Sequence, residues 1–216
     1  MKIKWYGHSC FLLTAANGTR ILTDPYDAST GRELKDIECD AVTSSHDHFD
    51  HNYFDAAAGN PVYLKGTEFR NVNGIVTGAV ESYHDKNSGK DRGMNYIRSF
   101  DIDGIRVVHL GDLGDVPSDE LKESIGKADI LLIPVGGIFT IDPNEAIETA
   151  EKIGPKVLIP MHYQADFLNF KLDSVEEFLK KANDWKQEKA NGTEAEFRPE
   201  DFTTEAGRKI LEFSLE

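Results

Sequence analysis

A layered α/β or α+β domain is the fold class this 216-residue sequence predicts. Three observations predict it: apolar strand-like runs at both ends of the chain, helix-patterned segments alternating with the later runs, and an Asn-Gly turn between the first two apolar stretches. The stretches Ile3 to Leu13 and Thr19 to Thr23 flank Ala15-Ala16-Asn17-Gly18. Asn-Gly between apolar runs is the strongest short signal of an antiparallel hairpin, so the chain is expected to start with paired strands.

Later segments have a different grammar. A run from Gly74 to Val80 is followed by Ile105-Arg106-Val107-Val108-His109-Leu110, Ile130-Leu131-Leu132-Ile133 and Val157-Leu158-Ile159, the last three separated by helical patterns. Ser118 is placed to cap a first helix ahead of Leu121 and Ile125, with Gly126 as its stop. A second helix carries Asp142 as cap, Pro143 at the first position and Glu145 to complete a capping box, with Ala146, Ile147, Ala150 and Ile153 as its apolar stripe before Gly154-Pro155. A third is expected from about Ser174 to about Lys189, with Val175, Phe178, Leu179 and Ala182 inward. From Asn191 to Arg208 the composition turns polar and predicts a surface excursion. Lys209 to Leu215 alternates well enough to close as an edge strand.

Composition bounds the function. Nothing resembles an interdomain linker, so one domain over residues 1–216 is expected. No apolar run reaches the roughly 20 residues that span a bilayer, and the Met1-Lys2-Ile3-Lys4 start lacks the apolar segment of a secretory signal, which predicts a cytoplasmic protein with no membrane partner. Cys10 and Cys39 are too few for a disulfide framework and lie in apolar segments that suit buried thiols. A net charge of −14 opposes a grip on nucleic acid through phosphate neutralisation and favours a small-molecule substrate, with assembly into a homo-oligomer left open.

The chemistry is carried by His46-Asp47-His48-Phe49-Asp50-His51, which spells H-x-H-x-D-H directly after an apolar run. Imidazole and carboxylate are the usual ligands of zinc, manganese and iron, and a turn leaving a strand can aim alternate side chains at two neighbouring ions. We therefore expect His46 and His48 on one metal, and Asp50 and His51 on the other. Three further strand exits offer ligand types: His84 after Tyr83, Asp112 after His109-Leu110-Gly111, and His162 after Met161. His84 is assigned to the first ion, His162 to the second, and Asp112 bridges both. Asp50 and Asp112 are the carboxylates assigned to the catalytic centre. Two such divalent ions, zinc with manganese or iron(II) as alternatives, would hold a bridging hydroxide and make the protein a hydrolase.

This order of motifs resembles the metallo-β-lactamase fold superfamily, in which an H-x-H-x-D-H loop, a lone His, a bridging Asp in a Gly-Asp context and a late His line a binuclear site at the edge of an αββα sandwich. The resemblance implies that four-layer fold and that site for this chain. The phrases Gly7-His8-Ser9, Thr23-Asp24-Pro25, His109-Leu110-Gly111-Asp112 and Pro134-Val135-Gly136-Gly137 before Phe139-Thr140 are similar to the branch related to ascorbate-6-phosphate lactonase, which implies a lactone, a phosphorylated lactone or a phosphodiester as substrate. The chain has no room for the inserted helical domain of the RNA-processing β-CASP nucleases. Diiron oxygen-reducing members place Glu where this chain has His48, which leans the sequence away from a redox centre. A diiron oxidoreductase and a non-catalytic metal-binding protein are the rivals to a hydrolase.

The resemblance also implies that Asp24 orients the metal loop by hydrogen bonds rather than ligating, and a simple turn aspartate before Pro25 is its plain alternative. His8 is a candidate substrate contact or proton donor, and a satisfied core histidine is its plain alternative. Tyr163 is a candidate to polarise a substrate oxygen, against simple aromatic packing. His109 is expected to pack or hydrogen-bond without ligating.

Overall fold

Alternation of side chains along four short strands creates two cores, one on each face of a six-stranded sheet. The computed structural model describes residues 1–203 and 207–215. Its first strands are β1 (Lys2–Gly7), β2 (Cys10–Thr14), β3 (Arg20–Thr23), β4 (Ile37–Glu38), β5 (Ala41–Thr43), β6 (Ala57–Ala58) and β7 (Val62–Leu64). Successive side chains of a strand point to opposite faces. Phe11, Leu13, Ile21 and Ala41 accordingly enter the main core, while Cys10, Leu22 and Val42 enter a smaller one with Tyr26, Leu34 and Ala56. Both cysteines are buried and unpaired, as their settings predict.

The second sheet is built from β8 (Arg70–Val72), β9 (Ile75–Tyr83), β10 (Met94–Ile102), β11 (Ile105–His109), β12 (Ile130–Pro134), β13 (Val157–Met161), β14 (Lys186–Lys189) and, beyond β15 (Glu194–Glu196), β16 (Lys209–Glu212). The six-stranded order is β15-β1-β2-β3-β5-β7 and the eight-stranded order is β14-β16-β13-β12-β11-β10-β9-β8, with β4 and β6 forming a separate pair. Pairing is antiparallel from β8 to β11 and parallel from β11 through β13 to β16. Every residue of β12 and β13 is buried, the continuous apolar reading of strands covered on both faces. Residues of both sheets meet in the main core, which also takes Ile125 of α1 (Asp119–Ile125), Ala146, Ala150 and Ile153 of α2 (Pro143–Ile153), and Phe178 of α3 (Val175–Lys181). The result is the layered α/β sandwich implied by the sequence, with short 3₁₀ turns at Ala28–Thr30 and Phe54–Ala56 beside the smaller core. Among the described residues no helix is long and apolar enough to cross a membrane.

The predicted caps are present. Ser118 accepts from the Leu121 amide, and Asp142 with Glu145 closes a full capping box on α2. Other expectations are corrected. The opening run is two strands, because Gly7 (φ 105°) and His8 (φ 52°) turn the chain into a β1–β2 hairpin. The third helix stops at Lys181: Asn183 and Asp184 are turn formers, Trp185 is buried, and the residues after it join the sheet as β14. The excursion from Asn191 to Arg208 holds β15, paired to β1, and a 3₁₀ turn at Pro199–Phe202, with residues 204–206 outside the described residues. The final strand is not an edge: β16 pairs with β13 on one side and β14 on the other, and the Lys- and Glu-bearing β14 takes the solvent-facing border. The nine-residue β10, which pairs with β9 through eight residues, is missing from the sequence reading, although Asp103-Gly104 between Ile102 and Ile105 spells the tight turn that joins it to β11.

Candidate metal centre

Strand exits from both sheets converge at one end of the sandwich. From the six-stranded sheet come His8 in the β1–β2 turn, Asp24 after β3, and His46 to His51 after β5; from the eight-stranded sheet come His84 after β9, Asp112 beyond β11, and His162 after β13. His8, Asp24 and His162 have φ of 52°, 43° and 52°, left-handed conformations that cost energy in non-glycine residues and concentrate at functional sites. The His162 exit is pressed from behind: a Cβ on Gly136 would stand 2.1 Å from the His162 carbonyl oxygen, so only glycine allows that approach.

Three groups of ligand-type atoms converge, one of them Asp24, His46 and His51, which links the other two. His46, His48 and His84 form one, and His8, Asp50, His51 and His162 form another, each set with its atoms within 4.8 Å of one another. Two atoms bound about 2.1 Å from one ion lie no more than about 4.2 Å apart, so this convergence is close to what a metal shell demands. Asp112 stands between the sets, with its carboxylate 3.2 Å from His84 Nε2, 3.1 Å from His162 Nε2 and 3.2 Å from His51 Nε2. His51 Nε2 and Asp112 Oδ1 are buried and make no hydrogen bond despite their proximity. Buried polar atoms are nearly always satisfied, and a converging pair of bare donor atoms is what a cation site leaves when the protein is viewed alone. The residues therefore fit a divalent metal.

Asp24 is itself engaged by protein donors. Its carboxylate accepts from His51 Nδ1 at 2.8 Å and from the Ser45 backbone amide at 2.8 Å, and the Ser45 hydroxyl links it to His46 Nδ1 at 2.9 Å. The Asp112 amide donates to Asn95 Oδ1 at 2.9 Å, and Asn95 in turn holds the Leu110 carbonyl. His109 lies outside the cluster, with Nδ1 accepting from the Gly111 amide and Nε2 facing the Ser9 carbonyl at 2.9 Å. Tyr163 also lies outside it, packed on Trp5 at 5.6 Å between centroids with its hydroxyl directed at the Phe213 carbonyl. His8 is inside, its Nε2 3.2 Å from Asp50 Oδ2.

The electrostatics favour ligation at all of the perturbed groups except His51. Burial, aided by neighbouring imidazoles, pushes His46 down to about 2 and His8 down to about 4, and burial with His84 nearby also lowers His48, so these rings stay neutral and keep a lone pair. Burial alone would raise Asp112, Asp50 and Asp24, yet the surrounding histidines hold all three below the usual carboxylate range. His51 is the counterpart: burial lowers it, but Asp112, Asp50 and Asp24 outweigh burial and hold it well above an ordinary histidine.

The cluster opens into a cleft of about 170 Å³ lined by His48, Asp50, His84, Asp112 and His162 together with Phe49, Arg92, Phe139 and Phe170. The last four, and the supporting Ser45 and Asn95, were missed by sequence reasoning. Ser45 adjoins the histidine motif and could have been suspected from that position. Phe170 and Arg92 carry no such signal, because loop paths alone bring them to the cleft.

Comparison with known proteins agrees with this geometry. The sequence profile described as the β-lactamase superfamily domain matches residues 2–162. A crystal structure from Thermotoga maritima, provisionally designated a Zn-dependent hydrolase of the metallo-β-lactamase superfamily, is 36% identical with a TM-score of 0.80, over 100% of this chain and 99% of that one. Fold and site thus define a metal-dependent hydrolase of the metallo-β-lactamase superfamily. Proteins called UPF0173 metal-dependent hydrolases are 31% identical in Methanospirillum hungatei (85% of this chain, 91% of that protein) and 31% identical in Korarchaeum cryptofilum (76% and 83%). The chain belongs to the UPF0173 metal-dependent hydrolase family.

Proposed function

We propose that the protein hydrolyses a small ester-like molecule at a pair of divalent cations, zinc ahead of manganese or iron(II), in the cytoplasm. The observation that supports a pair is the place of Asp112, whose one carboxylate reaches His84 of the first ligand set and His51 and His162 of the second. His46, His48 and His84 would hold one ion, Asp50, His51 and His162 the other, and Asp112 both. When bound, such ions lower the pKa of a water and polarise the oxygen of the bond to be cleaved. The chain's own groups supply the rest. Asp24 fixes the His51 ring by accepting a hydrogen bond from its Nδ1–H, Ser45 orients His46, and His8 stands against the Asp50 carboxylate at the inner wall of the site. The net reaction adds water across an acyl C–O bond, releasing an alcohol, a carboxylate and a proton; a lactone, a phosphorylated lactone and, with a P–O bond cleaved instead, a phosphodiester fit the same scheme. The phrases shared with the lactonase branch support the lactones.

The test is metal content followed by a screen of small lactones, thioesters and phosphodiesters. Asp112→Ala is expected to lose both ions and all hydrolysis. A variant with full metal content and a normal rate would remove Asp112 from the bridging role. An active protein that is redox-silent and loaded with zinc or manganese excludes a diiron oxidoreductase, whereas metal loss that lowers stability with no hydrolysis of any substrate would favour a non-catalytic metal protein.

A further inference from the structure

The geometry points to a substrate-recognition device beside the metal site: Arg92, propped on Phe139 within an aromatic rim, selects substrates that carry a carboxylate or phosphate next to an apolar group. This rests on the hydrolase reading above and deepens it by naming the substrate class.

Among the described residues, Arg92 is the one arginine or lysine lining the cleft. Its guanidinium lies 4.4 Å over the Phe139 ring and makes no ion pair or side-chain hydrogen bond among the described residues. In a chain of net charge −14, an arginine free of acid partners at the mouth of a cleft keeps its planar fork available for an anion. Stacking on an aromatic face fixes the fork without consuming its donors.

The loop that carries it is built, not loose. The Asp85 carboxylate accepts from the backbone amides of Asn87 (2.7 Å), Gly89 (2.9 Å), Asp91 (3.1 Å) and Arg92 itself (2.8 Å). The His84 amide donates to the Gly93 carbonyl at 3.1 Å, closing the loop beside a proposed ligand. On its other side, Gly114 packs so closely that an added Cβ would lie 2.2 Å from the Asp85 nitrogen, which ties the loop to the segment of Asp112. The Lys86 ammonium also pairs with Glu145 of α2. Arg92 is therefore held in register with His84 and Asp112.

The apolar part of the substrate has its own surface. Phe170 contacts both Phe49 and Phe139 edge-on, with centroids 6.4 Å apart in each case, and Phe49 is 49% exposed. Exposed aromatic edges around a polar cluster suit an aryl or short-chain group.

The experiment compares matched aryl acetates, phenyl acetate against 4-acetoxybenzoate and 4-acetoxyphenyl phosphate, in metal-loaded wild type, Arg92→Ala and Arg92→Lys. Differences in intrinsic reactivity cancel when the anionic-to-neutral ratio of kcat/KM is compared between proteins. That ratio is expected to fall roughly tenfold in Arg92→Ala and to be partly restored in Arg92→Lys, for whichever of the two anions the site takes. Calorimetric binding of 4-hydroxybenzoate and phenyl phosphate against phenol gives a readout free of turnover, with the same loss of preference expected. Turnover with an equal ratio in wild type and Arg92→Ala overturns this inference and leaves the hydrolase standing. An Arg92-dependent binding preference without turnover of any ester has the opposite meaning. No preference in either measurement overturns the inference.

Discussion

Asp24 braces the candidate metal centre through hydrogen bonds to its neighbours. It sits in a left-handed conformation at a strand exit, fully buried, and its two oxygens serve His51 Nδ1, the Ser45 amide and the Ser45 hydroxyl. The Asp24 carboxylate anchors Nδ1 of His51, and the opposite Nε2 lies 3.2 Å from Asp112 and 3.6 Å from Asp50. Asp24→Asn tests this with little backbone cost, since Asn tolerates a positive φ, while the carboxylate charge is lost. Metal affinity is expected to fall about 10–100-fold in competition with a chromogenic chelator, with the circular dichroism spectrum retained. Wild-type affinity in that variant would show that Asp24 is only a turn residue. At this scale much of the cluster was legible: H-x-H-x-D-H spacing and three later strand exits name residues that the fold brings together. The aromatic rim and Arg92 were not legible, because their neighbourhood depends on the paths of residues 85–93 and 163–173, and neither path has a periodic pattern.

At the scale of elements, the contact between the Asp85 loop and the turn after Asp112 is one that only glycine permits. Gly114 donates its amide to the Tyr83 carbonyl at 2.9 Å, and a methyl group there would meet backbone atoms of His84 and Asp85 at 2.2–2.6 Å. No flexible side chain can yield, so both segments must shift. Gly114→Ala is expected to lower unfolding free energy by about 1–3 kcal/mol in urea titrations and to weaken metal binding as the His84 exit moves. A variant with the stability of wild type would mean that the two segments are not in contact. Elements differed in how readily they could be read. α2 announced itself through Asp142, Pro143 and Glu145, local signals that need no tertiary knowledge. The stretch after Lys181 did not, because Lys186, Glu188 and Lys189 suit a helix surface as well as an edge strand, and only pairing with β16 decides between them. The place of β16 inside the sheet likewise depends on a partner that precedes it in sequence and cannot be inferred from its own alternation.

For the whole molecule, the position of the site couples metal binding to folding. The six-stranded sheet contributes His8, His46, His48, Asp50 and His51, the eight-stranded sheet His84, Asp112 and His162, and each ligand set draws on both sheets. A bound ion therefore bridges the two halves of the sandwich, and an unfolded chain cannot reproduce that arrangement across more than a hundred residues. Any ligand that binds only the folded state stabilises it by RT ln(1 + [L]/Kd), about 2.7 kcal/mol at a hundredfold excess over Kd. For a chain of this length that corresponds to a rise of roughly 5–10 °C in Tm. Chelated protein, checked by elemental analysis, is expected to melt that much below metal-loaded protein. The gap should shrink as pH falls from about 8 to about 5.5, since the carboxylates around His51 hold a proton on it that a cation must displace, whereas His46, His8 and His48 stay neutral over that range. Coincident melting curves at every pH would show that the cations, if bound at all, do not join the two sheets.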